Sequence, residues 1–188
     1  MNCNFIIGFW SEVTPDAWIQ TIGTIIGSFL GAYLAGKYAI NVMKEQFRRQ
    51  QKDKNEEFIK QITNFSSSVR VIIFEFGEIL ELLDKENKEY ADIQKFQSHT
   101  FKIDEYLEKL LTIDEKAFSV DTYITCKQML SKIKSAKTIA AGLVGLSSTE
   151  LDPQLKKLLE TDVQFLSSEL KRLEKLKDIM WDYLDGGK

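Results

Sequence analysis

The sequence predicts an all-α protein in which an N-terminal transmembrane helix runs into a long helix and a cytosolic four-helix bundle. Three observations lead to this fold class. Only two prolines occur, at positions 15 and 153, so the residues between them lack the strongest helix breaker. Apolar residues recur in steps of three and four along much of the chain. Twenty residues without a charge separate Asp16 from Lys37.

The composition limits the classes of protein to which the chain can belong. Its 188 residues suggest one globular domain with an additional segment. A net charge of -3 argues against a general binder of polyanions. Cys3 and Cys126 are too few for a disulfide framework, and Cys126 is expected to be a small buried apolar residue. His99 is the only histidine, and we expect it to be a partly exposed helix residue.

Residues 17–36 form the predicted transmembrane helix. At about 1.5 Å per residue, twenty residues span roughly the 30 Å of a hydrocarbon core. Thr14, Pro15 and Asp16 provide a typical helix start, with Thr14 as the N-cap. The competing interpretation is a buried helix of a soluble protein, because glycines and uncharged polar residues make this span only moderately hydrophobic.

The flanking charges predict the orientation of the span. Residues 1–16, the predicted extracytoplasmic or interfacial tail, contain no lysine or arginine. The basic juxtamembrane neck, residues 37–57, follows the span and is expected in the cytoplasm by the positive-inside rule. The neck is either a charged spacer or a surface that binds anionic headgroups. Its membrane-surface residues would be Lys37, Lys44, Arg48, Arg49 and Lys52.

One face of the predicted span carries small and weakly polar residues, and the other carries large apolar ones. Four-residue spacing of the small residues lets helix backbones approach closely in lipid. Since the chain has no second span, we expect this face to bind another copy. The predicted pore-lining or oligomer-interface residues are Gln20, Gly23, Thr24, Gly27, Ser28, Gly31 and Ala35. In a dimer they would form a dry contact, whereas in a tetramer or larger ring, which we favour, they would line a water-filled path.

Residues 58–185 form the predicted cytosolic bundle. The first helix is expected to continue from about residue 16 to 86, with its core face carrying Phe58, Ile62, Phe65, Val69, Ile72, Phe76, Ile79 or Leu80, and Leu83. Further helices are expected at 90–111, with Ile93 and Phe96 among its apolar residues, at 114–145, with Ile124 and Leu130, and from Pro153 to Gly186. Packing of these helices gives a four-helix bundle.

The sequence contains no motif for catalysis, nucleotide binding or metal binding. Acidic residues alternate with lysines, and we expect them on exposed helix faces. We therefore predict that the protein is not an enzyme and carries neither a cofactor nor a metal.

A lysine patch lies on the third bundle helix, at Lys127, Lys132, Lys134 and Lys137. No acidic residue occurs between Asp121 and Glu150. Several copies around a symmetry axis would form a positive ring that could bind the phosphates of a nucleotide or oligonucleotide. The alternative is an exposed basic face that balances the acidic neighbouring helices.

The charge-free glycine-rich span (TIGTIIGSFLGAYLAG), the basic neck (KEQFRRQQKDK) and the small helical bundle together resemble membrane effectors of bacterial anti-phage defence, of the Hailong channel type. The resemblance lies in the whole layout. It implies a toxic pore in the bacterial inner membrane that a bound oligonucleotide restrains. It also implies that Gln20, Thr24 and Ser28 line the pore and that the lysine patch holds the gating ligand.

The sequence thus favours a homo-oligomeric single-pass ion channel gated by its cytosolic helical domain, with the lipid bilayer and other copies as partners. The alternative is a membrane-anchored helical scaffold or sensor that recruits a protein partner.

Overall fold

The computed structural model describes residues 14–85, 90–145 and 153–185, and this part of the chain is helical throughout, apart from short connections. Its helices are α1 (Pro15–Leu83), α2 (Tyr90–Leu111), α3 (Val120–Gly145) and α4 (Pro153–Asp185). A short 3-10 turn, Glu115–Ala117, precedes α3. The all-α prediction is therefore confirmed. The predictions for residues 1–13, the turn near Asn87, the loop before Pro153 and the terminal glycines lie outside the described residues.

The start of α1 follows from its first residues. The Thr14 carbonyl accepts hydrogen bonds from the backbone N–H groups of Ala17 and Trp18, at 3.0 and 3.4 Å. Asp16 lies in the first turn, where a negative charge favours the helix dipole. The helix ends at Leu83, three residues before the predicted end.

The prediction of one helix over residues 114–145 is wrong. The Asp114 carboxylate accepts from the Lys116 N–H at 3.0 Å and caps the 3-10 turn. The Ser119 hydroxyl accepts from the Thr122 N–H at 3.3 Å, at the start of α3. Such local bonds from short polar side chains compete with helical hydrogen bonds, so they interrupt a helix that periodicity alone would continue.

The chain divides into two units, Met1–Gln51 and Lys52–Lys188, and the boundary falls within the predicted neck. In the described part of the first unit, every residue from 18 to 50 is exposed. The second unit is a helical bundle with a hydrophobic core to which all four helices contribute.

The core face of α1 is the predicted one. Buried side chains follow the three- and four-residue spacing through Phe58, Ile62, Phe65, Val69, Ile72, Phe76, Ile79 and Leu83. Phe118, in the connection before α3, contacts the rings of Phe58 and Phe65 edge-on, with centroids 6.3 and 6.5 Å away. Ile93 and Ile124, by contrast, are 43% and 47% exposed, so the bundle does not use them as core residues.

Candidate functional site

The uncharged part of α1 is long and apolar enough to cross a membrane, by its length and composition. Its most apolar 18-residue window has a mean hydropathy of 1.3, and none of that window is buried within the chain. Ile19 and Phe29 are 71% and 73% exposed. In the described part of the chain, therefore, nothing covers these side chains as the core of a soluble protein would.

The glycines of the span have space beside them. Apart from its chain neighbours and the nearby backbone of its own helix, a methyl group added at Gly23, Gly27 or Gly31 would meet no atom within 4 Å. The other residues of the predicted interface, Gln20, Thr24, Ser28 and Ala35, are also exposed. The described part of the chain therefore gives no internal reason for small residues on this face, and the interface assignment stays a prediction.

The polar side chains of the span fall into two groups. The Thr21 and Thr24 hydroxyls donate to the backbone carbonyls of Ala17 and Gln20, both at 2.8 Å. These two hydroxyls thus have partners within the helix itself. For the Gln20 amide and the Ser28 hydroxyl, the described residues provide no such bond.

The basic residues of the neck are partly neutralised on their own helix. Arg49 donates to Glu45 at 3.1 Å, and Lys52 lies 3.7 Å from Glu56. Both pairs are four residues apart and exposed, which stabilises an isolated helix slightly. Lys37, Lys44 and Arg48 lie on the same exposed stretch.

Three members of the lysine patch form ion pairs within the bundle. Lys127 contacts Glu115 at 2.5 Å, Lys132 contacts Asp162 at 2.7 Å, and Lys137 pairs with Asp104. The hydrogen bond to Glu115 raises the pKa of Lys127 above its ordinary value. Among the described residues, Lys134 has no ion pair. These pairs reduce the positive charge that the patch offers to a phosphate.

A buried ionic cluster between α1 and α2 was not predicted. The Glu75 side chain is only 4% exposed, and its two carboxylate oxygens bind different partners. One oxygen lies 2.5 Å from Nδ1 of His99, and the other accepts from Lys102 at 3.1 Å. His99 is partly exposed, as predicted, with 15% of its side chain accessible, but its carboxylate partner was not foreseen. The buried carboxylate thus has two side-chain partners, the imidazole of His99 and the ammonium group of Lys102.

The expectation that acidic residues lie on exposed faces is wrong for Glu75, Asp92 and Asp162, which are all buried. Each is paired with a lysine: Lys102, Lys85 and Lys132 respectively. A signal was present in the sequence for Glu75, because it lies three residues after Ile72 and four before Ile79, on the buried face of α1.

Comparisons with protein-family models, with curated proteins and with solved structures found no match to the chain.

Proposed function

We propose that the protein is a single-pass membrane protein that assembles with copies of itself into an ion-conducting pore gated by its helical bundle. The observation that carries this proposal is the four-residue spacing of Gly23, Gly27 and Gly31 on an apolar, wholly exposed part of α1, with open space beside each glycine.

Glycine is an unfavourable choice within a helix unless its small size is used. Each glycine costs about 1 kcal/mol relative to alanine in a helix interior. The described chain makes no contact that requires these three glycines. In lipid, the spacing of four lets a second helix approach closely, and the resulting van der Waals contacts offset the cost. A second copy of the chain supplies such a helix.

The polar side chains of the same face favour a pore over a dry contact. A polar group in hydrocarbon needs a hydrogen-bond partner, because an unpaired one costs several kcal/mol. The amide of Gln20 has two donors and one acceptor oxygen, and Ser28 lies near the middle of the span. In a ring of four or more copies, water in the lumen satisfies both groups along with neighbouring chains.

The flanking charges favour an orientation with the bundle in the cytoplasm and the N-terminus outside the bacterial inner membrane. The layout resembles toxic anti-phage channel effectors, and this supports control of the pore by a nucleotide or oligonucleotide that binds the bundle. Lys134 is the member of the lysine patch with most charge to offer such a ligand.

The experiment that tests the pore compares two glycine variants of the full-length protein in liposomes. Replacing Gly27 and Gly31 with leucine fills the small face and should abolish ion flux and reduce the mass of the detergent-extracted complex. Gly36→Leu is the matched control, because Gly36 also has open space but lies on the other side of the helix. Full flux in the double variant, or equal loss in the control, would contradict the proposal.

A membrane-anchored scaffold that recruits a protein partner is the second candidate. It is favoured by aromatic side chains on the bundle surface, since Phe74, Phe101 and Trp181 are 60%, 71% and 55% exposed. A scaffold would keep its activity when residues 17–36 are exchanged for a polyleucine span. A pore would lose its conduction in the same exchange.

A further inference from the structure

The charged residues that follow the span are sorted around α1. Residues 37–51 carry four basic side chains, Lys37, Lys44, Arg48 and Arg49, and one acidic side chain, Glu45, so their net charge is +3. Glu45 pairs with Arg49 at 3.1 Å, whereas in the part of the chain that the structure describes neither lysine forms an ion pair. At about 100° per residue, Lys37, Lys44 and Arg48 lie within about 40° of one another, and we call them the basic stripe.

The basic stripe continues the bulky apolar face of the span. Eighteen residues make about five turns of an α-helix, so side chains eighteen residues apart point in the same direction. Eighteen residues before the three members of the stripe are Ile19, Ile26 and Leu30, which are 71%, 53% and 53% exposed. In the proposed assembly these apolar side chains face lipid, because the opposite side of the helix carries the small residues that contact other copies.

Glu45 and Arg49 point in a different direction. They follow Gly27 and Gly31 by eighteen residues, so they continue the small face of the span. Other copies lie on that side in the proposed assembly, and unpaired charges of one sign would repel each other there. The ion pair between Glu45 and Arg49 removes net charge from this side. The net positive charge of residues 37–51 thus lies on the side of the lipid.

We propose that the basic stripe binds anionic phospholipid headgroups of the cytoplasmic leaflet, on the lipid-facing side of the assembled helices. This inference rests on the proposed function, from which it takes the orientation and the contact through the small face. The occupant is an anionic lipid because the charge of the stripe is complementary to it. Ile40, which is 52% exposed, lies beside the stripe between Lys37 and Lys44. Basic residues next to exposed apolar ones are typical of a helix at a membrane surface.

The distances along the helix bring the stripe to the headgroups. Lys37, Lys44 and Arg48 follow Gly36 by one, eight and twelve residues, which is about 1.5, 12 and 18 Å of helix. The headgroup layer extends about 5–7 Å beyond the hydrocarbon core. Helical side chains tilt toward the N-terminus, which here is the membrane side, so the long side chain of Lys44 reaches back to this layer. Arg48 stays within roughly 10 Å of it, which is the range of a charge at 0.1 M salt.

Spin-labelled lipids test this proposal on the full-length protein in vesicles of phosphatidylcholine. A trace of spin-labelled phosphatidylglycerol or phosphatidylcholine is added, and electron paramagnetic resonance measures the fraction of label that the protein immobilises. The wild type should immobilise the phosphatidylglycerol label preferentially, and high salt should reduce this preference because ions screen the attraction. Equal immobilisation of the two labels by the wild type would overturn the proposal.

Removal of the two lysine charges should have the largest effect. Lys37→Gln with Lys44→Gln should lower the preference for phosphatidylglycerol roughly fivefold per lysine, which corresponds to about 1 kcal/mol for each basic residue near an anionic surface. Lys37→Arg with Lys44→Arg keeps the charge and should retain the preference. Both positions are exposed, so neither double variant removes a contact of the bundle. An unchanged preference in the glutamine variant would refute the lipid contact.

Two adjacent arginines distinguish the stripe from positive charge in general. Arg48→Gln and Arg49→Gln remove the same charge at depths about 1.5 Å apart, but their side chains point about 100° apart. Arg48→Gln should lower the preference about twofold, less than either lysine because it lies farther from the headgroups. Arg49→Gln should leave the preference unchanged. Equal effects of the two variants, or a larger effect of Arg49→Gln, would overturn the assignment of the stripe.

The mass of the detergent-extracted complex and the ion flux, measured on the same preparations, separate this inference from the proposed function. A lipid preference that follows the stripe, without flux, retains the lipid contact and removes the pore. Flux from a protein that shows no lipid preference retains the pore and removes the lipid contact. A monomeric mass together with equal effects of Arg48→Gln and Arg49→Gln removes both.

Discussion

Helix α1 carries large apolar side chains in both units, but their surroundings differ. Between residues 18 and 50 all of them are exposed, including Phe29 at 73%. Between residues 58 and 83, side chains of the same types are buried where they lie on the core face, and Phe65 is only 2% exposed, whereas Phe74 is 60% exposed. Contacts within the chain thus account for the apolar residues on the core face of the bundle. The described apolar residues of the first unit have no such contacts within the chain, which is what the proposed membrane span requires.

The same substitution in the two regions gives the largest expected contrast. Phe65→Ala should lower the free energy of unfolding of the bundle by about 3–5 kcal/mol, because it removes a buried ring and leaves a cavity. Phe29→Ala should change it by less than about 0.5 kcal/mol, as expected for an exposed side chain. Hydrogen exchange of the backbone amides of residues 58–83, in detergent, measures both. Equal protection losses would show that the two regions do not differ as described.

A second contrast lies within the lysine patch. Lys132→Ala should destabilise the bundle by about 1–3 kcal/mol, because the Asp162 side chain, 6% exposed, would lose its cationic partner. Lys134→Ala is the control, since the described residues give Lys134 no ion pair, and it should leave chemical denaturation unchanged.

The same two variants test the ligand proposal. If the patch binds a nucleotide or oligonucleotide, Lys134→Ala should weaken the binding of a labelled oligonucleotide and reduce its salt dependence, with no change in stability. Unchanged binding in Lys134→Ala would leave the lysines with a structural role only. Equal stability of both variants would contradict the assigned ion pair.

Periodicity predicted the all-α fold and the core face of α1 because each of these depends on neighbours three or four residues away. Ile62, Val69 and Phe76 could be assigned to the core from their spacing alone. The break before α3 could not be found in this way, because it depends on hydrogen bonds from Asp114 and Ser119 to nearby backbone groups.

The ionic contacts between helices were beyond sequence reasoning. Glu75 lies 24 and 27 residues from His99 and Lys102, and their meeting depends on which helices are adjacent and in what register. The lysine patch looked like a free positive surface for the same reason, since Glu115, Asp104 and Asp162 come from other elements. The residues of the small face of the span were predicted from composition and spacing, because a contact between copies involves no pair of residues within one chain.

The effect that is smallest at neutral pH concerns the core of the bundle. Burial, aided by the negative charge of Glu115, raises the pKa of the Cys126 thiol from 9.0 to about 12. The unfolded chain therefore loses this proton near pH 9, whereas the folded bundle keeps it until about pH 12. In that interval the unfolded state binds fewer protons, so the stability contributed by Cys126 is complete below pH 9 and falls as the pH rises.

Denaturant unfolding of the wild type and of Cys126→Ala at several pH values measures this contribution. The free energy of unfolding of the wild type should fall more steeply above pH 9 than that of the variant. Lysines whose pKa is raised by ion pairs, such as Lys156 beside Asp84, are present in both proteins and cancel in the difference. If the free energies of unfolding of the two proteins fell in parallel above pH 9, Cys126 would be accessible to water in the folded bundle. Residues 17–36 contain no cysteine. A difference between the two pH dependences therefore reports on the buried core of the bundle.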